Sequence, residues 1–395
     1  MQELHIPEGI NYECTGCGKC CTGWTVPMTP QDHKRISAVD WGAESERYAG
    51  RKLFRLLKDY EKAGTPYSHA ICPGDDGFCP FLVDNLCYIH GQYGGAFKPS
   101  MCQLFPYCFN ETPSGVYATV SFVSMGVVYN SGKALAEQKE LLEQKLELFR
   151  RMYPGHHPNW SRLQLAVGRP MSWDQYLEHE KQLLAFLNDR TLPIEERMLK
   201  GSQYLVSQLG APQAVQLGPE AAALNKLDRH LLTALHRMYF PARPLGKGEC
   251  DFNIWRFAYQ FLYQGARIAF PDRSFTFEEL HGFPWPSGDA DIEDLLYRYF
   301  FSRIFGKLYF GAGFGQLSLL TGFHHLILTL ALIKLQAKAW AKSRGAPRVS
   351  MVDMVATIRE LEKRLGESRL GGWEAGAWEL FLQSPMRARR LLAYA

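Results

Sequence analysis

One short segment organises the first part of this chain: Cys14-Thr15-Gly16-Cys17-Gly18-Lys19-Cys20-Cys21. Its two successive C-x-x-C steps let thiolates converge on a metal, and Gly16 and Gly18 supply the free backbone angles that such tight turns require. Cys21 follows Cys20 directly, so its side chain points elsewhere unless the backbone bends sharply. The segment therefore predicts two or three metal ligands, with the others supplied from further along the chain.

Further cysteines are available for this purpose, because nine of the ten lie between Cys14 and Cys108. The N terminus, MQELHIPEGINYE, lacks the apolar region of a secretory signal, so we expect a cytoplasmic protein whose thiols stay reduced. A disulfide framework is therefore not favoured, and so dense a set of thiols indicates metal binding. The predicted metal ligands are Cys14, Cys17, Cys20, Cys21, Cys79, Cys87, Cys102 and Cys108.

The identity of the metal is less clear from the spacing. Thiolate-only ligation fits both zinc and iron–sulfur clusters. The C-x-x-C-x-x-C opening matches the first three ligands of a bacterial ferredoxin run, but here the fourth cysteine follows directly. The spacing also differs from the C-x-x-x-C-x-x-C of radical S-adenosylmethionine enzymes. An iron–sulfur cluster is favoured slightly over zinc, and both stay open.

The full pattern resembles a known family. C-x-x-C-x-x-C-C is followed by C-x-F-L, L-C-x-I and P-x-x-C-x-x-F-P, as in the zinc- or iron-chelating CxxCxxCC cysteine-cluster family. The stretch Cys-Cys-Thr-Gly-Trp-Thr-Val, the chain length and the helical second half resemble more specifically its flagellin lysine-N-methylase branch. The positions that match the motif are Cys14, Cys17, Cys20, Cys21, Cys79, Cys87 and Cys102.

This resemblance implies a metal-chelating domain over about the first 130 residues. For the methylase branch it also implies methyl transfer from S-adenosylmethionine to lysine on a protein such as flagellin. The chain departs from the pattern at Ser124, where longer members of the family are expected to carry a further cysteine. Cys72 and Cys108 are additional to the motif, and either thiol is a candidate to replace that ligand.

The predicted fold class is α+β and mostly α. We expect a small, irregular, cysteine-rich metal-binding domain over residues 1–132, with the metal in place of a large apolar core, packed on an all-α domain over residues 133–395. Short strands are predicted at Trp24–Met28, Leu86–Ile89 and Val116–Val123, and a helix from the capping sequence Thr29-Pro30-Gln31-Asp32. Later helices are predicted at Lys133–Tyr153, after Ser172, from Pro193 to near Gly210, and at Pro219–Phe240, Asp251–Phe270, Asp289–Phe310, Gln316–Ser343 and Ser350–Leu365.

Other segments narrow the possible functions. The net charge of +4, from 44 basic and 40 acidic residues, argues against a nucleic-acid-binding protein. The apolar run Leu317–Ile333 is predicted to be a buried core helix, because a membrane span needs roughly 20 apolar residues. Gly311–Gly315 is predicted to connect two helices, since no strand precedes it as a dinucleotide-binding loop requires. S-adenosylmethionine would therefore bind by another route, at the cluster or beside it.

Several side chains outside the ligand set have predicted roles. His90, three residues after Cys87, is expected to have a surface or packing role rather than to bind metal. One of the pair His324 and His325 is expected to face the core with a hydrogen-bond partner, and Cys250 is expected to be a small buried apolar residue. Aromatic residues beside the cysteines are expected either to shield the metal from water or to take part in ordinary core packing. These aromatic residues are Trp24, Tyr88, Phe105 and Tyr107.

Two functions of different classes follow from this sequence. The first is a cytoplasmic metalloprotein, with an iron–sulfur cluster that serves chemistry, of which protein lysine methylation is the example given by the resemblance. The second is a scaffold or interaction protein whose zinc is purely structural. An enzyme would keep a coordination position open beside a cleft, whereas a structural site would be closed by four thiolates. No catalytic residue is assigned, and neither a nucleic acid nor a membrane is expected as a partner.

Overall fold

The computed structural model describes residues 2–21, 25–210, 224–240, 267–270, 273–367 and 372–395. The chain divides into two compact units, Met1–His157 and Pro158–Ala395. The class is α+β and mostly helical, with small sheets in the first unit and helices in the second, which confirms the predicted class. The first unit extends past the predicted boundary after residue 132, because the helix Lys139–Met152 packs against a strand and a helix of that unit.

Among the described residues of the first unit, the strands form three small sheets. The strands are β1 (Leu4–His5), β2 (Val26–Met28), β3 (Phe54–Leu56), β4 (His69–Ile71), β5 (Leu82–Val83), β6 (Leu86–Cys87), β7 (Tyr107–Thr112) and β8 (Gly115–Val120). β1 runs parallel to β8, which pairs antiparallel with β7, and β4 lies between β2 and β3. β5 and β6 form a hairpin whose turn residues, Asp84 and Asn85, have φ of 49° and 65°. Two positive φ values are typical of a type I′ turn, which matches the twist of the strands.

The helices of the first unit are mostly short. They are α1 (Pro30–Ser37), α2 (Trp41–Glu44), α3 (Asp59–Lys62), α4 (Tyr88–Tyr93), α5 (Ser100–Leu104), α6 (Met125–Val128) and α7 (Lys139–Met152). The predicted start of α1 is confirmed, since Thr29 and Asp32 form a reciprocal capping box. The three predicted strands are confirmed in part. β2 forms the end of the first, and β8 forms most of the third. In the second, only Leu86 and Cys87 are strand, because helix α4 begins at Tyr88. Trp24 lies outside the described residues.

The first unit has an apolar core of its own, so the expectation that a metal stands in place of such a core is wrong. The core residues are Val26, Met28, Ile36, Trp41, Tyr48, Leu53, Ile71, Phe81 and Ile89. The rings of Trp41 and Phe81 are 4.7 Å apart, centroid to centroid. Cys79, Cys87 and Cys102 pack against the edge of this core. The sequence did not indicate this core, because its residues lie singly on many short elements and form no periodic apolar run.

In its described residues, the second unit is built from helices with two small β-ribbons. Its helices are α8 (Trp173–Asn188), α9 (Ile194–Ser207), α10 (Lys226–Tyr239), α11 (Phe277–His281), α12 (Ala290–Phe305), α13 (Leu319–Ser343), α14 (Met351–Glu367), α15 (Gly372–Leu382) and α16 (Pro385–Tyr394). The ribbons pair β9 (Gln164–Ala166) with β10 (Arg169–Pro170), and β11 (Arg267–Ala269) with β12 (Ser274–Thr276).

The ribbons correct the prediction that this region is all-α. Strands of two or three residues are too short to show an alternating pattern in the sequence. The predicted helix Asp251–Phe270 lies outside the described residues except at its end, which is strand β11. Cys250 also lies outside them.

Helix α13 forms the centre of the second unit. By length and composition it could cross a membrane, but 94% of its most apolar stretch is buried inside the unit, where α9, α14 and α16 pack against it. The prediction of a buried core helix is therefore confirmed. His324 and His325 are also buried, and their Nε2 atoms lie 2.7 Å from Ser202 Oγ and 2.6 Å from Tyr239 Oη.

The segment Gly311–Gly315 joins α12 to α13. The backbone N–H of Gly311 donates to the carbonyl of Leu317 at 2.8 Å, which closes a tight loop between the two helices. The prediction that this glycine-rich run connects two helices is therefore confirmed.

Candidate metal centre

The cysteine-rich segment lies on the β5–β6 hairpin. Gly16 and Gly18 have φ of 62° and 66°, a left-handed conformation that favours glycine. A Cβ atom at Gly18 would lie 3.0 Å from Asn85 Oδ1 and 3.1 Å from Leu82 Cδ2, so a side chain would also push the segment off the hairpin. The glycines therefore let the segment approach the hairpin, which carries Cys87.

Backbone hydrogen bonds fix Cys21 and Cys79 next to one another. Residues Lys19–Cys21 form a turn of 3₁₀ helix, in which the N–H of Cys21 donates to the carbonyl of Gly18 at 2.9 Å. The N–H of Cys79 then donates to the carbonyl of Cys21 at 3.0 Å. The segment is thus bonded to a part of the chain that lies far from it in sequence.

Four thiols are gathered at this place and are called the thiol quartet: Cys21, Cys79, Cys87 and Cys102. Burial raises the pKa of Cys21 to about 11 and that of Cys79 to about 12, and it raises the pKa of Cys102 further. The charges of other quartet members raise these pKa values too, so that every pair within the quartet interacts. Such mutual repulsion of thiolates would be relieved by a bound cation or cluster.

The quartet supplies four thiols but no ready-made site. Among the residues that the structure describes, no three Cys, His, Asp or Glu side chains form a group that could hold a metal ion. Four thiols as a donor set fit both zinc and an iron–sulfur cluster, and their placement does not decide between the two.

Cys14 and Cys20 lie near Tyr12. Burial is the main cause that raises the pKa of the Tyr12 phenol, and the charges of Cys14 and Cys20 raise it further. The buried hydroxyl of Ser124 hydrogen-bonds to the same phenol. Ser124, the position where a further cysteine was expected, therefore adjoins the first cysteines of the motif through Tyr12.

The remaining thiols lie on strands of the first unit or next to them. Cys108 is exposed on β7, where its Sγ lies 3.7 Å from the carbonyl of Pro106 and its charge acts on the phenol of Tyr153. Cys72 follows β4, and its N–H donates to the carbonyl of Leu53 at 2.8 Å. Cys17 is partly exposed in the segment between Gly16 and Gly18. The ligand roles of Cys14, Cys17, Cys20 and Cys108 stay predictions.

The aromatic residues named from the sequence take different places. Tyr88 packs against the apolar core of the first unit, with its ring centroid 5.6 Å from that of Tyr48. Its hydroxyl donates to Glu44 at 3.3 Å. Phe105 and Tyr107 line a cavity beside Cys102. His90 is exposed, as predicted, and also lines that cavity.

This cavity, of about 510 Å³, lies next to the quartet and is called the Cys102 cavity. Its lining comes from three parts of the first unit, namely Tyr12, the segment between α4 and β7, and helix α7. The lining residues are Tyr12, His90, Gly95, Ala96, Lys98, Cys102, Gln103, Phe105, Tyr107, Leu141, Gln144, Lys145, Leu148 and Arg151.

The sequence did not point to Lys98, which lies between the quartet and the cavity. Its ammonium group lowers the pKa of Cys21 and Cys102, opposing the effect of burial, and it also lines the cavity. The available signal was a basic residue directly before Pro99, the first residue of the P-x-x-C motif.

Comparison with known proteins supports metal binding by this region. Residues 13–121 match the profile of the CxxCxxCC family, which is described as a "Putative zinc- or iron-chelating domain". The resemblance seen in the sequence is thereby confirmed for the cysteine-rich part of the chain.

One curated protein is similar to part of the chain, the Uncharacterized protein MJ0939 of Methanocaldococcus jannaschii. The two are 28% identical over 153 residues, which make up 37% of this chain. The matched part spans 46% of that protein, which is less than half of its length. No solved structure matches the chain.

Proposed function

We propose that the first unit binds an iron–sulfur cluster through Cys21, Cys79, Cys87 and Cys102. Four partly buried thiols, brought together from four separate stretches of the chain, carry the proposal. The backbone of Cys79 is hydrogen-bonded to that of Cys21, and Cys79, Cys87 and Cys102 pack against the same apolar core. The match to a zinc- or iron-chelating family supports the coarser statement that this region binds metal.

One feature of the sequence favours a cluster over a single zinc ion. The C-x-x-C-x-x-C opening, from Cys14 to Cys20, matches the first three ligands of a bacterial ferredoxin run. Four thiolates also bind zinc, so the metal analysis decides between the two. A bound iron–sulfur cluster would supply electron transfer, at a potential set by nearby charge, hydrogen bonds and exposure to solvent. The ammonium of Lys98 would offset part of the thiolate charge.

The proposal is tested by anaerobic purification followed by iron, zinc and acid-labile sulfide analysis and an optical spectrum. We expect a brown protein with iron and sulfide in comparable amounts. A colourless protein with one zinc per chain would support the structural zinc scaffold in place of the cluster.

Serine variants then test which thiols are the ligands. Cys21→Ser, Cys79→Ser, Cys87→Ser and Cys102→Ser should each lose most of the metal. Cys72→Ser tests the additional thiol that the sequence offers as a replacement ligand: we expect it to keep its metal, because Cys72 is a partly buried cysteine outside the quartet, and loss of metal would add it to the ligand set. Full metal content in two or more quartet variants would refute the ligand assignment.

We further propose that the centre serves chemistry, since Cys102 lines a cavity and the centre is therefore not closed by protein on every side. The reaction suggested by the family resemblance is methyl transfer from S-adenosylmethionine to lysine on a protein such as flagellin, in the cytoplasm. The test is incubation of purified, metal-loaded protein with flagellin and S-adenosylmethionine, with mass spectrometry of the flagellin. A 14-Da increment on lysine, about the mass of one methylene, is expected, and unmodified flagellin would refute methylation of this substrate.

A further inference from the structure

The Cys102 cavity is strongly basic. Lys98, Lys145 and Arg151 line it, and among the described residues that form its wall there is no Asp or Glu. Gln103, Gln144 and His90 add neutral or weakly basic hydrogen-bonding groups. A concave site of this size with several cations and no carboxylate attracts negative charge and concentrates it.

Two of the cations repel each other. Burial lowers the pKa of the half-buried Lys145 ammonium, and the charge of Lys98 lowers it further. Two ammonium groups in a partly desolvated place interact more strongly than in bulk water, so an oxyanion between them would be stabilised. Lys98 also acts on the thiols, whereas Lys145 and Arg151 come from helix α7 on the other side of the cavity.

The backbone positions of these residues are set by the fold before any ligand binds. Leu141, Lys145 and Leu148 follow one another at helical spacing, which places them on one face of α7. On the opposite side, the carbonyl of Lys98 accepts hydrogen bonds from Gln103 Nε2 at 2.7 Å and from Arg35 Nη2 at 2.9 Å. Both walls are therefore held by the fold, which lowers the entropic cost of binding.

The rest of the lining is aromatic. Tyr12 and Tyr107 meet edge to face, with ring centroids 5.5 Å apart and planes at 88°, and Phe105 lines the same cavity. Aromatic walls of this kind favour planar, unsaturated groups. A ligand that satisfies both parts of the lining has an oxyanion at one end and a planar ring at the other.

We propose that the Cys102 cavity binds a small anionic molecule with a planar ring, and that Lys145 and Arg151 hold its carboxylate or phosphate. This binding role goes beyond metal ligation and does not depend on whether the quartet holds iron or zinc. The two proposals can fail separately, because metal content and anion binding are measured independently on the same preparation.

The test is calorimetric titration of the metal-loaded protein with four probes: benzoate, phenyl phosphate, inorganic phosphate and benzyl alcohol. Tighter binding of benzoate or phenyl phosphate than of benzyl alcohol supports the anion site, and the stronger of the two identifies the carboxylate or the phosphate as the preferred group. Equal binding of benzyl alcohol would overturn the anionic part. Equal binding of inorganic phosphate and phenyl phosphate would overturn the aromatic part.

Variants locate the site. Lys145→Gln and Arg151→Gln should each weaken binding of the better probe roughly tenfold or more, since a charge-assisted hydrogen bond is lost. Lys145→Arg, which keeps the charge, should bind the probe about as tightly as the unaltered protein. Lys139→Gln is the matched control, because Lys139 is an exposed lysine of the same helix that does not line the cavity. Equal loss in Lys139→Gln and Lys145→Gln, or no loss in Lys145→Gln and Arg151→Gln, would overturn the proposal.

Discussion

Replacing Asp32 with alanine should loosen the connection between helix α1 and the helix that carries Cys102. Asp32 is only 1% exposed, and its carboxylate accepts four hydrogen bonds. The N–H and the hydroxyl of Ser100, at the start of α5, donate at 3.0 and 2.8 Å. Arg35 Nη2 donates at 2.8 Å and the N–H of Thr29 at 3.2 Å. One buried carboxylate therefore holds α1, its cap and α5 together.

The expected cost follows from these contacts. Removing one partner of a buried ion pair costs about 3–5 kcal/mol, because the remaining charge is left without a partner. Arg35 is about one-third exposed, so water compensates part of its loss. We therefore expect the free energy of unfolding of the first unit to fall by ~3 kcal/mol, and Cys102 to be less firmly placed within the quartet.

The assay is urea unfolding of the metal-free protein, followed by circular dichroism, together with the rate of metal loss to a chelator from the loaded protein. Asp40→Ala is the control, because Asp40 caps α2 through Ala43 from an exposed position. Loss of such a cap costs about 1 kcal/mol. The reasoning is refuted if Asp32→Ala destabilises the protein no more than Asp40→Ala and loses metal at the same rate.

Three further predictions concern single features. Gly18→Ala should lower the free energy of unfolding by about 1–2 kcal/mol and reduce metal content, because of the left-handed backbone and the contact with the hairpin; thermal unfolding and metal analysis check this. Glu180→Gln should lower the free energy of unfolding by about 3–5 kcal/mol, since the fully buried ammonium of Lys307 lies 3.0 Å from Glu180 Oε1 and would lose its partner. If the double variant Glu180→Gln/Lys307→Met is no more stable than Glu180→Gln alone, the ion-pair explanation is wrong. Burial lowers the pKa of His324 to about 4 and that of His325 to about 3, so the unfolded chain takes up protons first as the pH falls below 6.5. For each of these two histidines, the free energy of unfolding should fall by ~3 kcal/mol between pH 6.5 and 4. Urea midpoints that are unchanged over that range would contradict this.

The sequence predicted the gathering of thiols better than the identity of the individual ligands. The motif order indicated that cysteines far apart in the chain meet, and the structure brings Cys21 to Cys79, Cys87 and Cys102. Which member of the first segment faces the quartet could not be predicted, because Cys20 and Cys21 are adjacent and their directions depend on a turn of 3₁₀ helix. That turn is set by contact with the β5–β6 hairpin, which is a tertiary effect.

The helices show where periodicity helps and where it does not. Long amphipathic or apolar runs predicted α7 in the first unit and α8, α9, α12, α13 and α14 in the second, although α7 begins about six residues later and α12 ends about five residues earlier than predicted. The two β-ribbons were missed because their strands are only two or three residues long. The cationic lining of the Cys102 cavity was also missed, since Lys98 and Lys145 are distant in sequence and meet only when α7 packs against α5.

The apolar core beneath the thiols has a consequence for how the protein matures. Small metal-dependent domains unfold when a chelator removes the metal, because the metal site stands in place of an apolar core. Here Trp41, Phe81 and their neighbours supply that interior. The metal-free chain should therefore stay folded. It would bind its metal or cluster after folding and would release it without unfolding.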